Sequence, residues 1–548
     1  MRLTFLAATA LLWSCASLPK KNNADLVIYN ATVYTVDDQF SKATALAVSD
    51  GKILATGSND DILNHYDAAE KIDASGKFIY PGFIDAHAHF LNYGLSLQSA
   101  NLVGTRSWND VLQRLQEFAQ QKNLQPGEWL TGRGWDQNDW DVKSFPEKSE
   151  LDRLFPNNSV FLTRVDGHAA IANQKALDLA GVKAGQTLTG GEVEVKNGKL
   201  TGVLVDNATD LVYESIPAPQ TNDIVEGLDE AQKNCFAVGL TSVDDCGLNY
   251  RSVLLIDSLH KAGQLKMRVY AMLSDASENY AFAKQYGKIK TPRLNVRAFK
   301  VYADGALGSR GAALLQPYAD RHDWYGFLLS KPEHFDSVAR VISDLDFQMC
   351  THAIGDSGNR TILKIYGKYL RDKNDKRWRI EHAQVVNQND FDLFGKYSVV
   401  PSVQPTHATS DMYWAGDRLG AQRVKGAYAY KHLLQENGWL PLGTDFPVED
   451  ISPFKTFYAA VFRIDAENWP AGGYQMENAL SREEAIRGMT IWAAKSNFEE
   501  QEKGSLEKGK LADFIILDQD LMKAAPQDAL HTKVLATYIN GEKVYENN

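Results

Sequence analysis

Two histidines one residue apart, His87 and His89, close the apolar run IYPGFIDAHAHF, and that spacing is suited to gripping a metal. In a β-strand successive side chains alternate faces, so residues two apart at a strand's end aim into one space. A polar strand end is the bland alternative, since two histidines this close also arise by chance. Four later segments join the pair: VRAFKVYADG carries Lys300, FQMCTHAIG carries His352, RWRIEHAQ carries His382 and LPLGTDFP carries Asp445. Each is a run of Val, Ile, Leu or Phe closed by a ligand-type residue and then by Gly, Pro or loop, as expected of parallel strands covered on both faces. Histidines and a carboxylate gathered this way suit one or two divalent cations; zinc, iron, manganese and nickel all accept such ligands, and zinc is the expected one.

Strands must position these residues, and three further runs fit the same mould: AVGLTSVDDCG, KMRVYAML and SVVPSVQPTH. Together with the first they make eight, most of them separated by amphipathic stretches such as DIVEGLDEAQKNCFAVG, where Ile224, Leu228, Ala231 and Phe236 recur at roughly helical spacing. Eight β–α alternations predict an α/β protein with a (β/α)8 TIM-type barrel, whose C-terminal strand ends carry the chemistry. About 145 residues separate the first and second strands, far more than one connection needs, so an insertion with structure of its own is expected. It holds GRGWDQNDW, the strand-like SVFLTRVDGHAA and the hairpin candidate TGGEVEVKNGKLTG, and it reads as a lid over the barrel mouth. Residues 25–57 and 511–546 alternate apolar and polar residues between turn signals, so both chain ends are expected to pair into one small β-sandwich. The expected division is a signal peptide at 1–20, the first part of the sandwich at 25–78, the barrel at 79–485 with its insertion at about 100–215, and the last helix with the second part of the sandwich at 486–548.

Taken in order, PGFIDAHAHF, GRGWDQNDW, RVDGHAA, GLTSVDDCG, KVYADGALGSRGAALLQPY, THAIGD, IEHAQ, GTDFP and GSLEKGKLADFIILD span nearly the whole chain. Their succession resembles the amidohydrolase superfamily, in the family 3 branch that contains N-substituted formamide deformylases and exoenzyme-regulatory-type proteins. The resemblance implies the same barrel and sandwich, and a metal-dependent hydrolase acting on non-peptide carbon–nitrogen bonds. Such chemistry needs a strong nucleophile and charge stabilisation, and a divalent metal supplies both by bringing the pKa of bound water to roughly 7 and polarising the carbonyl. His87, His89 and Asp445 would hold one ion, and His352 and His382 a second. Lys300 matches the fourth-strand position at which several amidohydrolase subgroups carry a lysine carbamylated by CO2; a free ammonium would be repelled by a metal cage. The plain alternative is an ion pair with Asp304.

Asp445 has the further task of general base and then proton donor to the leaving amine, against a structural role as a turn cap. His168 and His407 would polarise the substrate carbonyl or support a ligand, and a structural histidine is an equal expectation for each. Arg133, Trp135 and Asp136 are expected in the pocket wall, and Arg310 on an anionic substrate group, although a structural ion pair is the safer expectation for that arginine. Two other readings use the same scaffold: a mononuclear deaminase and an ester or lactone hydrolase. A non-catalytic regulatory or binding protein is the reading from another class, and the complete ligand set speaks against it.

The composition, 44% hydrophobic and 23% charged over 548 residues, is that of a folded soluble protein, and no repeat or low-complexity tract interrupts it. A net charge of -11 argues against nucleic acid, whose binders need clustered Lys and Arg. MRLTFLAATALLWSC joins a basic start to a short apolar core, a secretory signal too short for a permanent span, and its end at Ser14-Cys15 resembles a lipoprotein cleavage site. The expected location is therefore outside the cytoplasm of a bacterium, periplasmic or anchored to a membrane by lipidated Cys15. With Cys15 so used, three cysteines remain, Cys246 and Cys350 among them as small buried thiols, and no disulfide is assigned. The expected partners are a small-molecule substrate and, as a homodimer, a second copy of the chain.

Overall fold

The structure is a computed structural model, which describes residues 21–547; the expected signal peptide and Cys15 lie outside the described residues. Seven parallel strands pair in chain order: Phe83–Ala88, Leu240–Leu248, Arg268–Ser274, Leu294–Tyr302, Gln348–Ala353, Arg379–His382 and Val400–Ser402. An eighth extended segment closes the ring between the seventh and the first. Val403 N–H donates to the Pro441 carbonyl (3.2 Å), Ala86 N–H to Leu442 (3.1 Å) and Asp445 N–H to the His87 carbonyl (2.8 Å). The result is a TIM-type barrel. Its first, fifth and sixth strands are buried at every residue, which is why they read as near-continuous apolar runs.

The helices that cover the barrel follow from periodicity. Thr221–Ala237 turns Leu228, Ala231, Cys235 and Phe236 inward, and a capping box between Gln220 and Asp223 starts it. It packs closely on Phe90–Ser96, where Gly94 and Gly227 meet: a Cβ on Gly94 would lie 2.4 Å from the Gly227 carbonyl oxygen. Only glycine allows that approach.

Between the first and second barrel strands stands a six-stranded sheet running, in order, from Gly191–Lys196 through Lys199–Asp206, Ala169–Ala172, Ser159–Arg164 and Trp129–Trp135 to Ala100–Asn101. The hairpin in KNGK turns on Asn197 and Gly198, both at positive φ, as a two-residue turn between twisted strands requires. Trp135, Trp140 and Leu162 fill a separate apolar core beneath this sheet. The two chain ends meet in one six-stranded sheet, where Phe78–Pro81 pairs antiparallel with Phe514–Leu517, beside a four-stranded sheet of the N-terminal segment. Leu26, Val48 and Ile53 of one sheet share an apolar cluster with Val33, Phe514 and Tyr538 of the other. The three cysteines among the described residues, Cys235, Cys246 and Cys350, are buried and free.

Candidate active site

The C-terminal ends of the barrel strands bring the histidines of distant motifs into contact. His87 and His89 end the first strand, His352 the fifth and His382 the sixth, with ring centroids 4.7 Å apart for His87 and His382 and 4.5 Å for His352 and His382. Asp445, at the end of the eighth segment, turns Oδ1 toward Nε2 of His87 (3.4 Å) and of His89 (3.3 Å). Ligand-type atoms of His87, His382 and Asp445 all lie within 4.8 Å of one another.

Hydrogen bonds on the far side of each ring decide which nitrogen faces the cluster. His87 Nδ1 bonds Glu381 (2.6 Å) and His382 Nδ1 bonds the Gln404 side-chain oxygen (2.7 Å). Both imidazoles are thereby fixed with Nε2 directed inward, as metal-ligating histidines are. Burial, then the neighbouring His352 and His87, holds His382 well below the usual imidazole range; burial, then His168 and Lys300, does the same to His352. Burial pushes His89 down to about 4 against the pull of Asp445. These three neutral rings keep the lone pairs that a cation needs, whereas at His87 burial is outweighed by Cys246, Glu381 and Asp445, which raise it well above the usual range.

Burial alone would raise the Asp445 carboxyl, but the neighbouring His87 and the hydrogen bond from His407 outweigh it and keep it well below the usual range. Two buried atoms, Asp445 Oδ1 and His352 Nε2, have no hydrogen-bond partner. An anionic oxygen and an imidazole nitrogen left bare in one pocket, beside His87 and His382, are the donor set a divalent cation takes. The residues fit a metal.

Lys300 ends the fourth strand, 1% exposed, with Nζ 3.3 Å from His87 Nε2. Asp304 is not its partner: that carboxylate accepts backbone N–H bonds from Ala313, Ile354 and Gly355. His382 and Asp445 sit at φ 71° and 66°, where side chains other than glycine are uncommon. Such conformations cost about 1–3 kcal/mol each and persist where the surrounding structure over-determines them.

A cavity of about 680 Å³, large enough for a drug-sized ligand, opens above the cluster and is walled on one side by the inserted sheet. His168 reaches it from the insertion, its Nδ1 held by Asp206 (2.6 Å) and its ring 4.9 Å from that of His352. His407, on the helix Pro405–Asp411, bonds Asp445 Oδ2 through Nε2 (3.3 Å) and Glu449 through Nδ1 (3.0 Å). Arg133 and Asp136 line the cavity, Asp136 paired with the buried Arg164. Trp135 lies outside the expected wall, and Arg310 takes the structural ion pair that is its safer expectation and not an anionic substrate group. Trp135 is fully buried in the core of the insertion, its indole N–H on the Leu162 carbonyl, and Arg310 is spent on Asp320 (2.8 Å) outside the cavity lining.

Sequence reasoning missed the partners that orient the histidines: Glu381, Gln404, Asp206 and Glu449. Glu381 and Gln404 do stand in recognised motifs, EHAQ and QPTH. Regular alternation would send Glu381 and His382 to opposite faces, and the left-handed φ of His382 breaks the strand so that both reach the barrel interior.

Fold and cluster together define a TIM-barrel, metal-dependent hydrolase. The chain belongs to the amidohydrolase family, whose model matches residues 70–545, in the branch that its motifs resemble. It is 31% identical to Protein LONG AFTER FAR-RED 3 of Arabidopsis thaliana over 98% of this chain and 97% of that one. It is 28% identical to N-substituted formamide deformylase of Arthrobacter pascens over 95% and 98%. A metal-dependent hydrolase from Pyrococcus horikoshii, 27% identical, superposes with a TM-score of 0.74 over 91% of this chain and 99% of its own.

Proposed function

We propose that this protein hydrolyses a carbon–nitrogen bond of a non-peptide amide in the cavity above the histidine cluster. The setting of Asp445 carries the reading. One of its oxygens faces His87 and His89 and the other accepts from His407, so a single carboxylate joins the ligand cluster to the substrate cavity. One or two divalent cations, zinc by preference, held by His87, His382 and Asp445 with His89 and His352 beside them, would supply Lewis acidity to the carbonyl and lower the pKa of water.

The chain's own residues handle protons and position. Asp445, kept ionised, takes a proton from the attacking water and returns it to the departing nitrogen, which leaves poorly as an anion. His407 fixes the Oδ2 edge of that carboxylate. His168, with Nδ1 tied to Asp206, presents Nε2 toward the carbonyl side of the substrate. We read Lys300 as carbamylated, which removes an unpaired ammonium and offers a carboxylate to the same cluster. The relative named as an N-substituted formamide deformylase supports a carbon–nitrogen bond as the target.

The test is Asp445→Asn, assayed with metal content measured beside turnover on a panel of N-acyl and N-formyl amines. The variant should retain metal yet lose on the order of 10²–10⁴-fold in kcat. Near-normal turnover by a metal-loaded variant would sink the assignment.

Two readings accompany this one. We infer that the chain-end sheets form a small β-sandwich, supported by their shared apolar cluster, which an experimental structure with the sheets apart would overturn. Residues 1–20 direct export, with a lipid on Cys15 as the membrane tether. Cys15→Ala should move the protein from the membrane to the soluble fraction, and its retention there would exclude the tether.

A further inference from the structure

The charges that line the cavity do not balance in pairs. Arg164 holds both Asp136 and Asp166, the latter at 2.5 Å. Lys455 holds Asp450 at 2.7 Å, and Glu449 is taken by His407 and by the Ser410 hydroxyl (2.6 Å). Asp139 stands exposed at the rim. Apart from Lys300 in the metal cluster, the one lining cation among the described residues without a carboxylate partner is Arg133.

Its guanidinium makes a single hydrogen bond, from Nη2 to the Val165 carbonyl (2.8 Å), while Nε is buried with no partner. An arginine carries five donors in a fixed fork matched to a carboxylate. Burial lowers the pKa of this one, and Asp445 and Asp166 oppose that without pairing with it. Holding an unpaired cation there costs stability unless something completes it.

The backbone is built to aim this side chain. In the strand Trp129–Trp135 the register slips between Arg133 and Trp135, and Gly134 between them lies at φ 108°. A Cβ at Gly134 would stand 2.4 Å from a Val103 methyl carbon, so the bulge needs glycine. Without the slip, Arg133 and Trp135 would share a face; with it, Trp135 enters the insertion's core and Arg133 faces the cavity.

We infer that Arg133 is an anion subsite and that the substrate is an amide one of whose arms ends in a carboxylate. This rests on the amide-hydrolase reading and names its substrate class. Val165, which anchors the guanidinium, lies in the turn between two strands of the inserted sheet, so the carboxylate would be held from the insertion's side of the cavity and the scissile group from the barrel's strand ends.

A matched achiral pair tests it: 4-(formamidomethyl)benzoate against N-benzylformamide, assayed with metal-loaded protein. The anionic substrate should be favoured in kcat/KM by about 10- to 100-fold, the worth of one charge-assisted bond, and Arg133→Gln should collapse that ratio toward one. Arg133→Lys, which keeps the charge and loses the fork, should retain part of it. A ratio near one in the parent protein, or the same ratio in Arg133→Gln, overturns the subsite while leaving the amide reading intact. Failure to hydrolyse either compound refutes these amides as substrates, and calorimetry with 4-methylbenzoate then decides the subsite alone. Binding should weaken about 10- to 100-fold in Arg133→Gln. Unchanged binding would mean that the carboxylate sits on the metal, and the inference falls.

Discussion

Lys300 is the residue on which the number of metal ions turns. Buried beside His87 with no carboxylate partner, a bare ammonium there would repel any cation that the histidines hold. Carbamylation reverses the sign of that charge. Lys300→Ala should therefore lose both metal and activity, and short-chain acids such as acetate or propionate, entering the vacated space, should partly restore both. Metal analysis by mass spectrometry beside activity decides it: a Lys300→Ala protein with its full metal content is incompatible with the proposal and favours a mononuclear site. The neighbouring residues differ in what they risk. His87 and His382 are each fixed by one side-chain hydrogen bond, to Glu381 and Gln404, so the cluster depends on groups that never touch the substrate.

At the scale of elements, the site depends on how closely two helices pack. The helix Phe90–Ser96 begins directly after His89, and its seat against Thr221–Ala237 is the Gly94–Gly227 contact. A methyl group on Gly94 meets backbone, which has no flexible end to move aside, so the helix must tilt or rise. Overpacking of this kind costs about 1–3 kcal/mol. Gly94→Ala should lower the thermal midpoint and also weaken metal retention, because His89 moves with the helix. A variant of unchanged stability, measured by calorimetry, would mean that the two helices have slack. The inserted sheet shows the opposite use of glycine: at Gly134 it separates the directions of Arg133 and Trp135, sending one to the cavity and the other to an apolar core.

The whole molecule is tied together by buried ion pairs between the barrel and the segment that leads out of it. Arg268, in the third barrel strand, grips Asp513 at 2.6 Å just before the strand that joins the chain ends, and both side chains are almost fully buried. Glu499 bonds Lys290, ahead of the fourth strand, and Lys503 (2.8 Å), whose Nζ also donates to Ser242 at the base of the second strand. Burial would raise the Glu499 pKa, but Lys503 and Lys290 outweigh it and hold it at about 2, against 4.5 for an ordinary glutamate. A carboxyl depressed on folding contributes stability above its unfolded pKa, and that contribution is lost as pH falls from about 4.5 toward 2. Glu499→Gln should therefore be less stable than the parent near pH 6, by roughly 1–3 kcal/mol, with the gap narrowing as pH falls below about 4.5. Denaturant titrations at pH 6, 4 and 3 check it; a gap that stays constant would remove Glu499 from this role.

The sequence by itself determined which residues lie at the barrel mouth. Strand burial and alternation are local properties, so the apolar runs ending in His87, His352, His382 and Asp445 announced both the strands and their ligand-bearing ends. The helix through Leu228, Ala231 and Phe236 and the Asn197-Gly198 hairpin were legible for the same reason: period and turn chemistry act over a few residues. Only the tertiary structure decided who meets whom. Glu381 reaches His87 across 294 residues, Asp206 reaches His168 from another strand of the insertion, and Asp304 turns to backbone N–H groups and not to the lysine four residues before it. Trp135 left the expected pocket wall because a one-residue register slip redirected it, and tertiary packing chose Asp320 as the partner that Arg310 pairs with. Periodicity states the direction of a side chain relative to its own strand; the register of the barrel, the seat of the insertion and the left-handed turns at His382 and Asp445 are settled by packing of the entire chain, and those set the chemistry.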